Sequence, residues 1–186
     1  MPTDALQFLK LGLLNSAGQC RSFDQSGDGY CRTEAIAAIF IQRKAVARRI
    51  YASVVHAKSN NDGYKEQGIT CPLGERQAAL LGEIYREANV DPNCVYYVEC
   101  HGTGTKVGDP QEAHAITQTF CTNRFKFEIK LYEKCKTFFY CLSSQPLLIG
   151  SVKSNMGHAE PASGIILATK LKEFVITSKV FVQLSK

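Results

Sequence analysis

Two stretches of this chain share one order: a short apolar run, a glycine-flanked histidine, then a helix start. Residues 94–105, CVYYVECHGTGT, lead on to DPQEA. Residues 147–158, LLIGSVKSNMGH, lead on to AEPASGIILATKLKEF. An apolar run of this length reads as a buried strand. Strands that alternate with helices imply an α/β fold. In open α/β sheets ligands bind just beyond the carboxyl ends of the strands. His101 and His158 both fall at such an end, so the spacing predicts one shared site.

The composition removes several other classes. At 45% apolar and 21% charged the chain is too apolar to be disordered. Its 186 residues suit one domain or part of a larger one. No apolar run is long enough to span a membrane. At the start, Asp4 stands where a signal peptide wants positive charge, Lys10 breaks the apolar stretch, and no small-residue cleavage site follows. The reading is a cytoplasmic protein. The eight cysteines include no CxxC pair, so neither a zinc site nor a disulfide framework is expected. The net charge of +5 comes from the last third, where residues 121–186 carry ten Lys/Arg against four Asp/Glu. The aromatics of that stretch form no base-stacking pattern, and nucleic-acid binding is not expected.

The remaining segments are read more coarsely. Residues 16–32 are rich in Gly, Ser and Asp and read as a loop, with a corner at Gly27-Asp28-Gly29. AIAAIFI, residues 35–41, fits a helix or a buried strand equally well. Residues 45–49 look helical, 50–56 alternate as a strand, and 60–63 form a turn. After Pro72 a helix presents Leu73, Gln77, Leu80, Leu81, Ile84 and Tyr85 as a largely apolar stripe. Asp91-Pro92-Asn93 turns the chain. Asp109 is expected to cap a helix that opens at Pro110. Residues 153–158 read as a loop, with a helix from Pro161.

The two loops have a chemistry in common. A neutral imidazole held in one tautomer donates one hydrogen bond. Two such donors, from His101 and His158, would hold the charge of an enolate oxygen. Thr103 and Thr105 add hydroxyls. Lys153 would pair with a carboxylate, either Glu112 or Asp109. The plainer reading makes each histidine a capped or solvated residue and Glu160 a helix-start acid. A metal-dependent hydrolase using His101, His158 and Asp109 has no paired-ligand spacing behind it.

VECHGTGTKVGDPQEA at 98–113 and IGSVKSNMGHAEPASG at 149–164 resemble the two histidine motifs of β-ketoacyl synthases, the condensing domains of fatty acid and polyketide synthases. CRSFDQSGDGYCRTEA at 20–35 is similar to the segment after that family's nucleophile, and residues 47–72 to the stretch that follows. The resemblance is strongest to the ketosynthase of animal, insect-like type I fatty acid synthase, over residues 11–123 and 146–170. It implies a thiolase-like layered α/β/α/β/α fold, here incomplete, working as a homodimer. It also implies decarboxylative Claisen condensation, with malonyl delivered on the phosphopantetheine of an acyl carrier protein and no cofactor bound directly. The acyl partner is a thioester on a cysteine. His101, His158 and Lys153 match the catalytic positions, with Glu112 the usual partner of the lysine. Asp109, Thr103, Thr105 and Asn155 match supporting positions. The resemblance further makes AIAAIFI a core strand.

Three features depart from that pattern. No cysteine lies in a small-residue elbow resembling T-A-C-S-S, and Cys100 beside His101 reads as a packing thiol. The family's late glycine-rich loop is also missing. The chain is therefore expected to be a partial ketosynthase, inactive alone. Its expected organisation is residues 1–123 with the first histidine motif, 124–145 as an atypical insertion, and 146–186 with the second motif and an atypical tail. The insertion and tail read as translated non-coding sequence or as a surface insertion. The competing function is a ketosynthase-like interaction module, used for dimerisation or acyl-carrier docking.

Overall fold

A computed structural model describes residues 2–68, 70–121, 130–132, 137–140, 147–174 and 179–185. In chain order the elements are α1 (Pro2–Lys10), β1 (Ser53–Asn60), α2 (Gly74–Glu87), β2 (Tyr97–Glu99), α3 (Gly108–Phe120), β3 (Lys130–Tyr132), β4 (Thr137–Tyr140), β5 (Leu147–Gly150), α4 (Lys153–Met156), α5 (Ser163–Phe174) and β6 (Lys179–Ser185). Single 3₁₀ turns lie at Lys44–Val46, Pro92–Cys94 and Glu160–Ala162.

The core grows from the apolar stripe of α2. Leu80, Leu81, Ile84 and Tyr85 are buried. Leu81, Ile84 and Tyr85 pack with Ala115, Ile116 and Phe120 of α3 and with Leu147 and Ile149 of β5. Each such side chain contributes roughly 1.5–3 kcal/mol when fully buried. Tyr85 and Phe120 meet edge to face, with ring centroids 5.2 Å apart. The Gly74 N–H, at the start of α2, donates to Gln111 Oε1 of α3 at 2.9 Å. This bond ties the start of α2 to α3.

β2 and β5 pair in parallel, Val98 opposite Ile149 and Glu99 opposite Gly150. This register sets the carboxyl ends of both strands side by side, so the loops that follow open on one edge. On the other side of β5, β4 and then β3 add antiparallel, giving a sheet of order β2-β5-β4-β3. A second sheet pairs β1 with β6 in parallel. Of the expected insertion, residues 124–129, 133–136 and 141–145 lie outside the described residues, as do tail positions 175–178 and 186.

The structure corrects several local expectations. AIAAIFI is neither helix nor strand; it is irregular, and Ile36, Ile39, Phe40 and Ile41 are exposed. A buried strand needs neighbours to take up its N–H and C=O groups, and no described strand pairs with it. Residues 45–49 give only the 3₁₀ turn. The strand expected at 50–56 runs instead from Ser53 to Asn60. The run from Cys94 to Cys100 narrows to the three residues of β2. The 153–158 loop contains the short helix α4. Asp109 does not cap α3: Val107 holds that position without a side-chain bond, and Asp109 lies inside the first turn. No helix among the described residues is long and apolar enough to cross a membrane.

Candidate active site

The first histidine loop is tied down by two acids from the start of α3. Glu112 reaches back so that Oε1 accepts from the His101 N–H at 2.6 Å and Oε2 from the Gly102 N–H at 2.8 Å. Asp109 accepts from the N–H groups of Gly104 (3.0 Å), Thr105 (3.2 Å) and Phe23 (2.7 Å). Carboxylates suit this place, because the N–H groups of a loop and a helix start are otherwise unpaired. The carbonyl of His101 accepts from Ser151 Oγ at 3.1 Å, and that of Gly102 from Ser22 Oγ at 2.5 Å. Gly104 sits at φ +80, and a Cβ there would fall 2.6 Å from the Arg21 nitrogen. The loop therefore needs glycine both for its conformation and for its contact with residues 21–23.

The second loop is held from beneath and from the side. The Val152 N–H donates to Glu99 Oε1 at 2.5 Å, and the Tyr97 hydroxyl donates to the other oxygen of Glu99. α4 ends at Gly157, φ +81, which swings the chain back. The His158 N–H then donates to the Cys31 carbonyl at 2.7 Å, and the Thr33 N–H donates to the His158 carbonyl at 3.0 Å. The Glu160 N–H donates to His158 Nδ1 at 3.2 Å. With Nδ1 accepting, the ring proton of neutral His158 sits on Nε2.

The two rings meet perpendicular to each other, with centroids 5.2 Å apart. Burial first, then the charges of Lys153 and Arg32, lower the pKa of His158 to about 4. For His101, crowding by surrounding groups, then Lys153, then His158 push in the same direction. His101 keeps an exposed edge, which tempers the first effect. Both imidazoles are thus neutral donors at pH 7.

Lys153 departs from expectation. It is 1% exposed, and its Nζ makes no hydrogen bond. The expected pairing with Glu112 or Asp109 is not made, because both carboxylates are committed to backbone N–H groups. Burial lowers the pKa of Lys153, opposed by the nearby charges of Glu112 and Glu99. Burial raises that of Glu112 to about 7, against its two backbone donors and Lys153. Without a hydrogen bond, Lys153 influences both histidines through space.

The other expected residues fall into two groups. Thr103 is buried, its Oγ1 3.4 Å from that of Thr105, and Thr105 Oγ1 accepts the Gly108 N–H at 3.2 Å, helping to start α3. Asn155 is exposed on α4, with its N–H on the Val152 carbonyl. Cys100 is fully buried, and desolvation holds its thiol well above the usual range, so it is a packing group. Burial raises the thiol of Cys20 as well. Among the described residues no three His, Cys, Asp or Glu groups are arranged to hold a metal. Sequence reading missed Glu99, Ser22 and Ser151 as loop anchors, and Tyr30 and Arg32 beside His158. The signal available for the last two was the dense turn chemistry of residues 24–30.

Residues 51–180 match the family model for the β-ketoacyl synthase C-terminal domain, and residues 1–47 the model for its N-terminal domain. The chain is 47% identical over 170 residues to a fatty acid synthase of Anser anser anser, covering 91% of this chain and 43% of that relative. It is 41% identical over 167 residues to a highly reducing polyketide synthase of Glarea lozoyensis, covering 88% of this chain and 6% of that one. Among solved structures, an oxazolomycin ketosynthase domain of Streptomyces albus superposes with TM-score 0.73 at 33% identity, covering 93% of this chain and 27% of that chain. The ketosynthase from module 6 of the Bacillus subtilis bacillaene synthase also gives 0.73, at 25% identity, covering 100% and 33%. The fold is accordingly thiolase-like and incomplete, and the chain spans less than half the length of each of these relatives.

Proposed function

The chain belongs to the β-ketoacyl synthase family, and we propose that its two histidine loops form the decarboxylation and condensation site of such an enzyme. The observation that carries this is the perpendicular approach of His101 and His158 at 5.2 Å, with Nδ1 of His158 already occupied as an acceptor. Two neutral donors meeting at one point suit an oxygen that gains negative charge.

In this reading a malonyl thioester places its carbonyl oxygen between the rings. The bond to the carboxylate breaks, carbon dioxide leaves, and the electron pair moves onto the thioester as an enolate. The two imidazoles hold the charge on its oxygen. The enolate carbon then attacks an acyl thioester, and the carbon–sulfur bond breaks to release a thiolate. Burial keeps both rings neutral, and the positive potential of Lys153 adds to that. Glu112, Asp109, Thr103 and Thr105 hold the first loop. The malonyl group arrives on the phosphopantetheine of an acyl carrier protein, and the whole enzyme works as a cytoplasmic homodimer.

Condensation also needs an acylation thiol. The buried thiols of Cys20 and Cys100 are raised rather than activated, and an attacking thiol needs the opposite. In this reading the two histidine loops decarboxylate malonyl thioesters, and neither of these two buried thiols serves as the acyl carrier for condensation. That same feature favours a second reading, a module that binds the carrier without turnover.

Carbon dioxide release from malonyl-carrier protein separates the two. The enzyme reading predicts release that falls roughly 100–1000-fold in His101→Ala or His158→Ala, the cost of losing one such donor. Carrier binding with no release above background, or release equal in both mutants and the parent, sinks it.

A further inference from the structure

Glu160, the acid next to the second histidine motif, does not behave as a helix-start acid. Its carboxylate turns away from the helix: Oε2 pairs with Arg32 Nη2 at 2.7 Å and Oε1 accepts from the Tyr30 hydroxyl at 3.1 Å. Its backbone sits at φ +43, a left-handed conformation that a residue with a Cβ resists. Such a conformation persists only where surrounding contacts over-determine it.

Those contacts come from one strip of chain. Residues 30–33 run beside residues 158–160, with Arg32 bridged in parallel to His158. From this strip the Cys31 carbonyl and the Thr33 N–H hold the His158 backbone. Tyr30 and Arg32, either side of Cys31, reach across to the Glu160 carboxylate. Tyr30 also sets its ring edge to face against His158, centroids 5.3 Å apart. Arg32 in turn lies over the Phe8 ring at 5.6 Å, which fixes the guanidinium. The outcome is the Glu160 N–H aimed at His158 Nδ1.

We propose that Glu160, gripped by Tyr30 and Arg32, is a positioning residue that locks His158 in the tautomer with its proton on Nε2. The carboxylate never touches substrate. It holds a strained turn whose N–H fills Nδ1 and so leaves Nε2 as the donor. This deepens the reading of His158 as a donor to the thioester oxygen and rests on it.

The test is read with no substrate present. The full 186-residue chain, with ¹⁵N-labelled histidine, is examined by long-range ¹H–¹⁵N NMR at pH 7. The parent shows a bare Nδ1 and a protonated Nε2 at His158, the two shifts widely separated. In Glu160→Ala the separation shrinks as the second tautomer enters, while the His56 and His114 signals stay as reporters of the fold. The double variant Tyr30→Phe with Arg32→Gln leaves residue 160 in place and shows the same shrinkage. It carries the test if Glu160→Ala unfolds. A protonated Nδ1 in the parent, or an unchanged separation in a folded variant, overturns the proposal. Failure here leaves the ketosynthase reading standing, whereas a locked tautomer without malonyl decarboxylation fails that reading alone.

Discussion

At the scale of single residues, the site is a set of protonation states fixed by burial and neighbouring charge. His158, with a pKa lowered to about 4, stays neutral where a free imidazole is charged. Between its unfolded value near 6.5 and about 4, the unfolded chain binds a proton that the folded chain refuses. The His158 contribution to stability is therefore intact above pH 6.5 and is lost as pH falls through 4. Glu112, raised to about 7, has the opposite sign: its contribution is full below its ordinary value of 4.5 and is lost as pH rises through 7. A titration of the His158 ring protons should give a midpoint near pH 4, and a midpoint above 6 contradicts the burial described. The approach of His101 and His158 was legible from their places at the ends of two strands. The partners of Lys153, Glu112 and Asp109 were not, because a carboxylate and an amine at suitable positions do not reveal that nearby N–H groups compete for the same oxygens.

At the scale of elements, loops are held by side chains that look like surface acids in the sequence. Asp109 was legible as a helix-start residue, but not as the clasp between α3, the HGTGT loop and Phe23. Asp109→Ala leaves three backbone N–H groups without their acceptor in a buried place. A loss of about 1–3 kcal/mol is expected, seen as a lower melting temperature, and an unchanged melt contradicts the clasp. The helix α2 and the strand β5 were legible in kind, because an amphipathic stripe and a bounded apolar run are local signals, though the strand expected over 147–152 ends at Gly150. AIAAIFI was not, because helix or strand there depends on neighbours that sequence periodicity does not encode.

At the scale of the whole molecule, one segment leaves several large apolar side chains in the open. Ile36, Phe40, Ile41 and Val46 are between 68% and 103% exposed. Exposed apolar surface favours association. Light scattering of the isolated chain should show self-association, and a monodisperse monomer with a sharp thermal transition contradicts that. The family and incomplete fold were legible from two motifs 57 positions apart, His101 to His158, because the parallel pairing of β2 and β5 turns sequence distance into adjacency.

In the proposed site those two imidazoles share one oxygen. A decarboxylation-resistant malonyl thioester, labelled with ¹³C at the thioester carbonyl, reports on it directly. Two donors on the bound oxygen predict a downfield carbonyl shift that shrinks in His101→Ala and shrinks again in the double variant with His158→Ala. A bound carbonyl whose shift equals that in water, or is untouched by either substitution, contradicts the account.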